Sequence, residues 1–310
     1  MVLRPKIELA HDLIENRFVY RADAYSFQTL YPFCNENVSG YLDFLDLKDK
    51  SLLTVGSSAD QAISAIARGC KDITVLDICP LTEPYFYLKK SAILSLPQED
   101  FENLLFYKDY PRTFKYNKDP FNIKAYPELL RTLEEESPTA HDFWLSLAET
   151  YSGEMIRKNL FTQDEEKPST TRQLTDYLKS PKTYEKTREL IRKINPEFIN
   201  ANITHRIPTD KKFDNIVLSN LTTYLSYEQI RNLLESIIPH LNEGGKIILW
   251  YMYRTDEYTK YQQEWDVIYD MDRIKALDEN ISVKSFQGVK GILHEIPAMK
   301  DSVYVYQKKR

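Results

Sequence analysis

The sequence predicts a doubly wound α/β fold: a mostly parallel sheet with helices on both faces, an antiparallel edge at its carboxyl-terminal end, and a large helical insertion. Three observations predict it. Residues 51–77, SLLTVGSSADQAISAIARGCKDITVLD, read as strand, small-residue turn, helix, strand and a closing carboxylate. Strand patterns return at 213–220 and 246–253 after a long stretch of helical spacing. The last two strand patterns, near 281–286 and 303–307, have no helix between them, which points to an antiparallel pair.

Each element has a local reason. Residues 7–17 form an amphipathic pattern with Leu9, Leu13 and Ile14 on one side, and 25–45 adds aromatic-rich segments in which Asn35 and Glu36 make a polar break. A helix over 38–47 feeds the first strand. Residues 52–55 are a short apolar run, Gly56 to Ser58 a turn of small residues, and Ala62, Ile63, Ala65, Ile66 and Ala67 one helical face before 73–76 resumes a strand. After Asp77, Pro80 and Pro84 set a turn and the start of a helix over 83–94.

From Gln98 the pattern becomes helical, at 101–107, 126–136, 140–160 and 169–194, with Pro111, Pro120, Pro138 and Pro168 as breaks. The α/β pattern resumes at 198–203. A strand over 213–220 ends in Ser219 and Asn220, and Glu228 suits the first turn of a helix over 226–241. A Gly-Gly turn then leads into the strand 246–253, and a helix is expected over 260–277. The implied division is 1–97 for the amino-terminal helices and first half of the sheet, 98–195 for a helical insertion capping an acceptor, and 196–310 for the second half of the sheet.

Composition narrows the function classes. A chain of 310 residues buries a full core without staples, and three cysteines, Cys34, Cys70 and Cys79, offer neither a disulfide framework nor a Cys-x-x-Cys metal knuckle, so a reducing cytoplasm is expected. The His and Cys spacing implies no metal site. The net charge of −5, with basic residues scattered among acidic ones, leaves no footprint for nucleic acid. No apolar run reaches membrane-spanning length and the first seventeen residues lack a signal-peptide core, so a soluble chain is expected. Twenty-two tyrosines suit a pocket lining, among them Tyr107, Tyr110 and Tyr116 as a mouth for an apolar acceptor, and equally suit half-buried helix faces.

The order of residues 51–77 has a chemical use. A parallel strand ending in small residues lets a ligand approach the backbone, and the free amides of the next helix favour polar or anionic groups. An acid about twenty residues on, here Asp77, can accept both ribose hydroxyls of an adenosine. Only Gly56 stands where a dinucleotide site shows three glycines, so the same stretch also fits an ordinary buried βαβ unit with Asp77 as a helix cap.

The segments VGSSADQA, TVLDICP, FDNIVLSNLTTYLS and LNEGGKIIL together resemble the class I S-adenosylmethionine-dependent transferases, a Rossmann-like fold. More narrowly, the chain from about Tyr25 onward, with DFWLSLAETYSGEMIRKNLF in the insertion, is similar to the aminocarboxypropyl transferases that begin betaine-lipid synthesis from diacylglycerol. The resemblance implies S-adenosylmethionine as cofactor and a small or lipid-like acceptor. It implies that Gly56, Ser57, Ser58 and Asp60 face the methionine part and ribose, that Asp77 with Ile78 beside it holds the ribose hydroxyls, and that Asn202 lies near the adenine edge. Ser219 and Asn220 would stand beside the sulfonium. Ser58 and Ala59 occupy positions where that family is richer in glycine.

An alcohol acceptor needs a base within hydrogen-bond reach, and Asn220, Tyr224 and His205, with Tyr251, stand near predicted strand ends. His205 also reads as an exposed loop residue between Thr204 and Arg206, and at least one of Trp250 and Tyr251 as core. Two rivals remain open on the same scaffold: a methyltransferase for a small molecule, and a binding or scaffold protein that kept the fold without catalysis.

Overall fold

A computed structural model describes residues 5–16, 20–22, 25–27, 30–34, 36–56, 58–106, 121–161, 168–205, 207–219, 221, 225, 227–254, 279–289 and 300–309. The helix expected over 260–277 lies outside them. The elements, in order, are α1 (Lys6–Asn16), β1 (Tyr20–Ala22), β2 (Tyr25–Phe27), α2 (Val38–Leu42), β3 (Ser51–Val55), α3 (Asp60–Ala67), β4 (Asp72–Asp77), α4 (Thr82–Ser95) and α5 (Gln98–Leu105). Then come α6 (Pro127–Glu136), α7 (Pro138–Thr150), α8 (Gly153–Leu160), α9 (Pro168–Leu174), α10 (Pro181–Ile191), β5 (Glu197–Asn200), β6 (Phe213–Val217), α11 (Tyr227–Ile237), β7 (Leu241–Arg254), β8 (Ile281–Val289) and β9 (Lys300–Lys308).

Seven strands form one sheet in the order β5-β4-β3-β6-β7-β9-β8. Pairings from β5 through β7 are parallel, and β9 runs antiparallel to both β7 and β8. This is the class I methyltransferase variant of the Rossmann-like sheet, with the antiparallel edge expected from the missing helix. β1 and β2 form a separate antiparallel pair that leads into the aromatic-rich segment.

Strand alternation sorts the core into two faces. Leu52, Val75, Val217 and Ile248 join the larger cluster with helices α1 to α8 and α10, whereas Leu53, Leu76, Ile216 and Ile247 meet Ile230, Leu233, Leu234 and Ile237 of α11. The expected Gly-Gly turn at 244–245 lies inside β7, where the pairing with β6 shifts register between Phe213 and Asn215. Gly244 takes φ +76 there, a conformation that favours glycine. No helix among the described residues is long and apolar enough to cross a membrane.

Helix starts follow local chemistry. Ser137 precedes Pro138 and accepts from the Ala140 amide at 3.3 Å, and Ser180 precedes Pro181 in a capping box with Thr183. Two expected long helices are broken. The stretch 140–160 stops at Tyr151, because Ser152 leaves the helical region and caps α8 through the Met155 amide at 3.2 Å. The stretch 169–194 divides at Thr175, whose backbone is extended, and again at Ser180, which caps α10, and the helix expected over 38–47 ends at Leu42.

The insertion is tied to the sheet by polar groups as well as apolar ones. Trp144 is fully buried and donates to the Pro84 carbonyl at 2.8 Å. Buried Lys90 on α4 meets Glu136 at 2.6 Å, the Asn195 side chain at 2.6 Å and the Ile194 carbonyl at 2.9 Å. Arg68 at the end of α3 donates through Nε to Asp176 at 2.7 Å and through a terminal nitrogen to the Ser39 carbonyl at 2.7 Å.

A second anchor is wholly buried. The Asp60 carboxylate accepts from Lys89 Nζ at 2.7 Å, Tyr177 Oη at 2.6 Å, the Cys34 amide at 2.6 Å and Ser58 Oγ at 3.0 Å. Lys89 also donates to the Ser58 carbonyl at 2.8 Å and stands 4.4 Å from the Phe33 ring centre. Burial, then the charge and hydrogen bond of Asp60, hold the Tyr177 phenol well above its ordinary pKa, so it is the donor in that bond.

Two predictions follow from these anchors. Lys89→Met leaves the Asp60 charge buried without its cation and should cost about 3–5 kcal/mol in urea unfolding. Adding Asp60→Asn should recover part of that loss. For Asp176, burial pushes the carboxyl up, but hydrogen bonds and charge from Arg68 and Lys179 outweigh it and set the group below its ordinary value. A depressed folded pKa gives stability that is complete above the unfolded value, near pH 4, and is lost as pH falls through the folded one. Asp176→Asn should therefore cost about 1–3 kcal/mol at pH 7, a gap that closes in unfolding curves recorded on the acid side of about pH 4.

Candidate active site

Register aligns four strand ends. Val55 pairs with Leu76, Asp77 with Asn200, and Thr54 with Val217. Continued by one or two residues, those pairings set Gly56 between Asp77 and Ser219, with Asn200 beyond Asp77. All four therefore share the carboxyl edge of the sheet, where open α/β sheets bind ligands.

Gly56 and Asp77 are in contact. A Cβ on Gly56 would lie 2.9 Å from Asp77 Oδ2 and 2.9 Å from both Cβ and Oγ1 of Thr82, so no larger residue fits without displacing the acid. Asp77 Oδ1 accepts from the Cys79 amide at 2.8 Å, which orients the carboxylate at the strand tip. Asn200, which the sequence reading passed over, donates to the carbonyls of Asp77 and Ile78 at 2.9 Å each and fixes the backbone under them. Ile78 is half-buried against the core.

The turn after β3 departs from expectation. Ser57 lies outside the described residues. Ser58 and Asp60 are fully buried, and their side chains bond to each other within the network of Lys89, Tyr177 and Cys34. Both were expected to face a cofactor, but their polar atoms are taken up inside the protein. The distant partners are the reason: Lys89 and Tyr177 come from α4 and the insertion. Ala59 between them takes φ +68, a left-handed conformation costly for a residue with a Cβ, held by this network.

On the other side of Gly56, Ser219 is buried and also left-handed, at φ +57. Its hydroxyl donates to Glu36 Oε1 in a short hydrogen bond, and it accepts from Gln61 Nε2 at 3.5 Å. Gln61 Nε2 also reaches Cys34 Sγ at 3.6 Å. Glu36 is 2% exposed and Gln61 fully buried. Neither was singled out as a site residue. The polar break of Asn35 and Glu36 within an aromatic-rich segment was the available signal for Glu36; Gln61 had none.

The Cys34 thiol is pushed well above its ordinary pKa by burial first and by the charges of Glu36 and Asp60 next. Cys79 is raised similarly by burial and Asp77, so neither thiol is an activated nucleophile. No group of three or more His, Cys, Asp or Glu among the described residues could hold a metal ion.

Asn202, expected near an adenine edge, closes a turn, its Oδ1 accepting from the Thr204 amide at 3.0 Å and hydroxyl at 2.9 Å. His205 is exposed on that turn. The turn follows edge strand β5, three strand spacings or roughly 14 Å from β6, so β5 does not deliver His205 to Ser219. Asn220 and Tyr224, like Tyr107, Tyr110 and Tyr116, lie outside the described residues. Tyr251 lies on β7, opposite Val303 of β9.

No family model matches the chain, and no curated protein is similar to it at a significant level. Solved structures do resemble it. A TehB-like SAM-dependent methyltransferase from Corynebacterium glutamicum aligns over 88% of each chain at 9% identity and a TM-score of 0.41. The N-methyltransferase NodS from Bradyrhizobium japonicum, in complex with S-adenosyl-L-homocysteine, aligns over 99% of this chain and 100% of its own at 12% identity and a TM-score of 0.39. Magnesium protoporphyrin IX methyltransferase from Synechocystis, with bound SAM, covers 89% of this chain and 79% of its own at 8% identity and a TM-score of 0.39. At these values the likeness adds nothing to the strand order.

The Gly56 contact yields a test of the edge. Gly56→Ala should leave the far-UV circular dichroism unchanged and reduce affinity for adenosine-containing ligands by roughly tenfold or more, because the new methyl displaces the Asp77 carboxylate.

Proposed function

We propose that this protein is an S-adenosylmethionine-dependent transferase acting on a small or lipid-like acceptor. One observation carries the reading: on the class I sheet, a glycine turn that admits no Cβ sits between an acid at the tip of β4 and a buried, left-handed serine at the end of β6. An adenosine with a cationic side arm has matching needs along that row.

Asp77 would accept the ribose hydroxyls, the backbone at Gly56, which carries no side chain, would let the ligand chain pass close to β3, and half-buried Ile78 would cover one side of the nucleoside. The turn at Asn202 would border the adenine. Ser57 would add to the turn beside Gly56. Asn220, next to Ser219, would orient the acceptor, with Tyr224 as a further candidate for that task. The cofactor would supply an electrophilic carbon on a sulfonium, and a neutral thioether leaves it without an acid. Product choice then depends on which carbon the residues around Ser219 point at the acceptor.

Two transfers are open to this site. The resemblance of the sequence segments favours the aminocarboxypropyl group, whereas the TehB-like protein and NodS are methyltransferases by name. The released nucleoside separates them, as methylthioadenosine for the first and S-adenosylhomocysteine for the second.

Calorimetry with S-adenosylmethionine and S-adenosylhomocysteine tests the binding step. Asp77→Asn keeps an oxygen for the Cys79 amide while removing the charge, and should weaken binding by about 1.5–3 kcal/mol, roughly ten- to 150-fold. Unchanged affinity would refute the placement of the ribose, and no heat from the wild type would favour a scaffold role.

A further inference from the structure

We propose that the recess between α1, the first turn of α4 and the first half of α7 binds a small molecule with an apolar body and a protonated amine at one end. The recess has a volume of about 450 Å³, within the range of small-molecule sites. Its apolar walls are Ile7 of α1, Pro84 of α4, and Ala140 and Phe143, which share a face of α7. Gly56, Asp77 and Ser219 do not line it, so the site is separate from the row at the strand ends and does not rest on the transferase reading.

The walls are held in place from three sides. Trp144, next to Phe143, donates to the Pro84 carbonyl at 2.8 Å, and Ser137 caps the start of α7 through the Ala140 amide at 3.3 Å. Lys6 at the start of α1 pairs with Glu83 in the first turn of α4. A hollow fixed in this way takes a ligand with little ordering of its own side chains, which favours binding.

Charge decides the class of ligand. The ionisable groups that line the recess are Lys6, Glu83 and Asp142. Lys6 and Glu83 neutralise each other, whereas Asp142 has the His141 ring at 3.1 Å and no lysine or arginine in an ion pair with it among the described residues. The rim is therefore negative. A carboxylate would be repelled by Asp142 and an alcohol would leave its charge unmatched, but an amine can meet Asp142 while its hydrocarbon part covers Pro84 and Phe143.

Calorimetry of the full chain with three probes of one shape tests this: 4-phenylbutylamine, protonated at neutral pH, 4-phenylbutanol and 4-phenylbutyrate. The amine should bind about two- to fivefold tighter than the alcohol, the range for a solvent-exposed ion pair, and the carboxylate should bind weakest. Asp142→Asn, at a side chain 82% exposed, should bring the amine down to the affinity of the alcohol and leave the alcohol unchanged. Ser146→Trp, which fills the recess from α7, should remove the heat of all three. If that variant folds poorly, the wild type and Asp142→Asn still decide. Absence of heat from the amine overturns the site, a carboxylate that binds as tightly as the amine overturns the assigned class, and an amine preference that survives Asp142→Asn overturns the placement.

Discussion

The constraint on which the rest depends is the buried Asp60–Lys89 ion pair. Two charges removed from water are costly unless their hydrogen-bonding capacity is filled, and here the carboxylate takes four donors. Those donors come from the amino-terminal segment, the turn after β3, helix α4 and the insertion. The pair therefore holds four stretches of chain together at the first turn of α3, beside the sheet edge. A nucleotide-type fold often relies on glycines to shape that turn. In this protein a polar network holds Ala59 left-handed instead, which accounts for a turn with one glycine.

The insertion consequently does two jobs. It covers one face of the sheet with Trp144 and its neighbours, and through Tyr177 and Asp176 it stabilises the turn and the far end of α3. A cap that also braces the site differs from a detachable lid, since loosening it would release the turn as well. The opposite face, closed by α11, contributes packing but none of these polar ties.

Along the edge the acids have separate tasks. Asp60 is neutralised internally, Asp77 is oriented at the strand tip by the Cys79 amide, and Glu36 is hydrogen-bonded to Ser219. The row thus has a carboxylate on each side of Gly56.

Local chemistry made much of this legible. Strand alternation, serine-proline helix starts, the missing helix before the last strand and an acid at the end of β4 are properties of neighbouring residues, so the sequence by itself determined the fold class and the place of Gly56, Asp77 and Ser219. Only the tertiary structure decided which way polar side chains turned. Asp60 and Ser58 look inward because Tyr177, 117 residues away, and Lys89, 29 away, meet them in the core. Glu36 belongs to the edge because Ser219, 183 residues on, donates to it. Periodicity and turn chemistry act over a few residues, whereas a buried charge takes its partner from wherever the fold brings one.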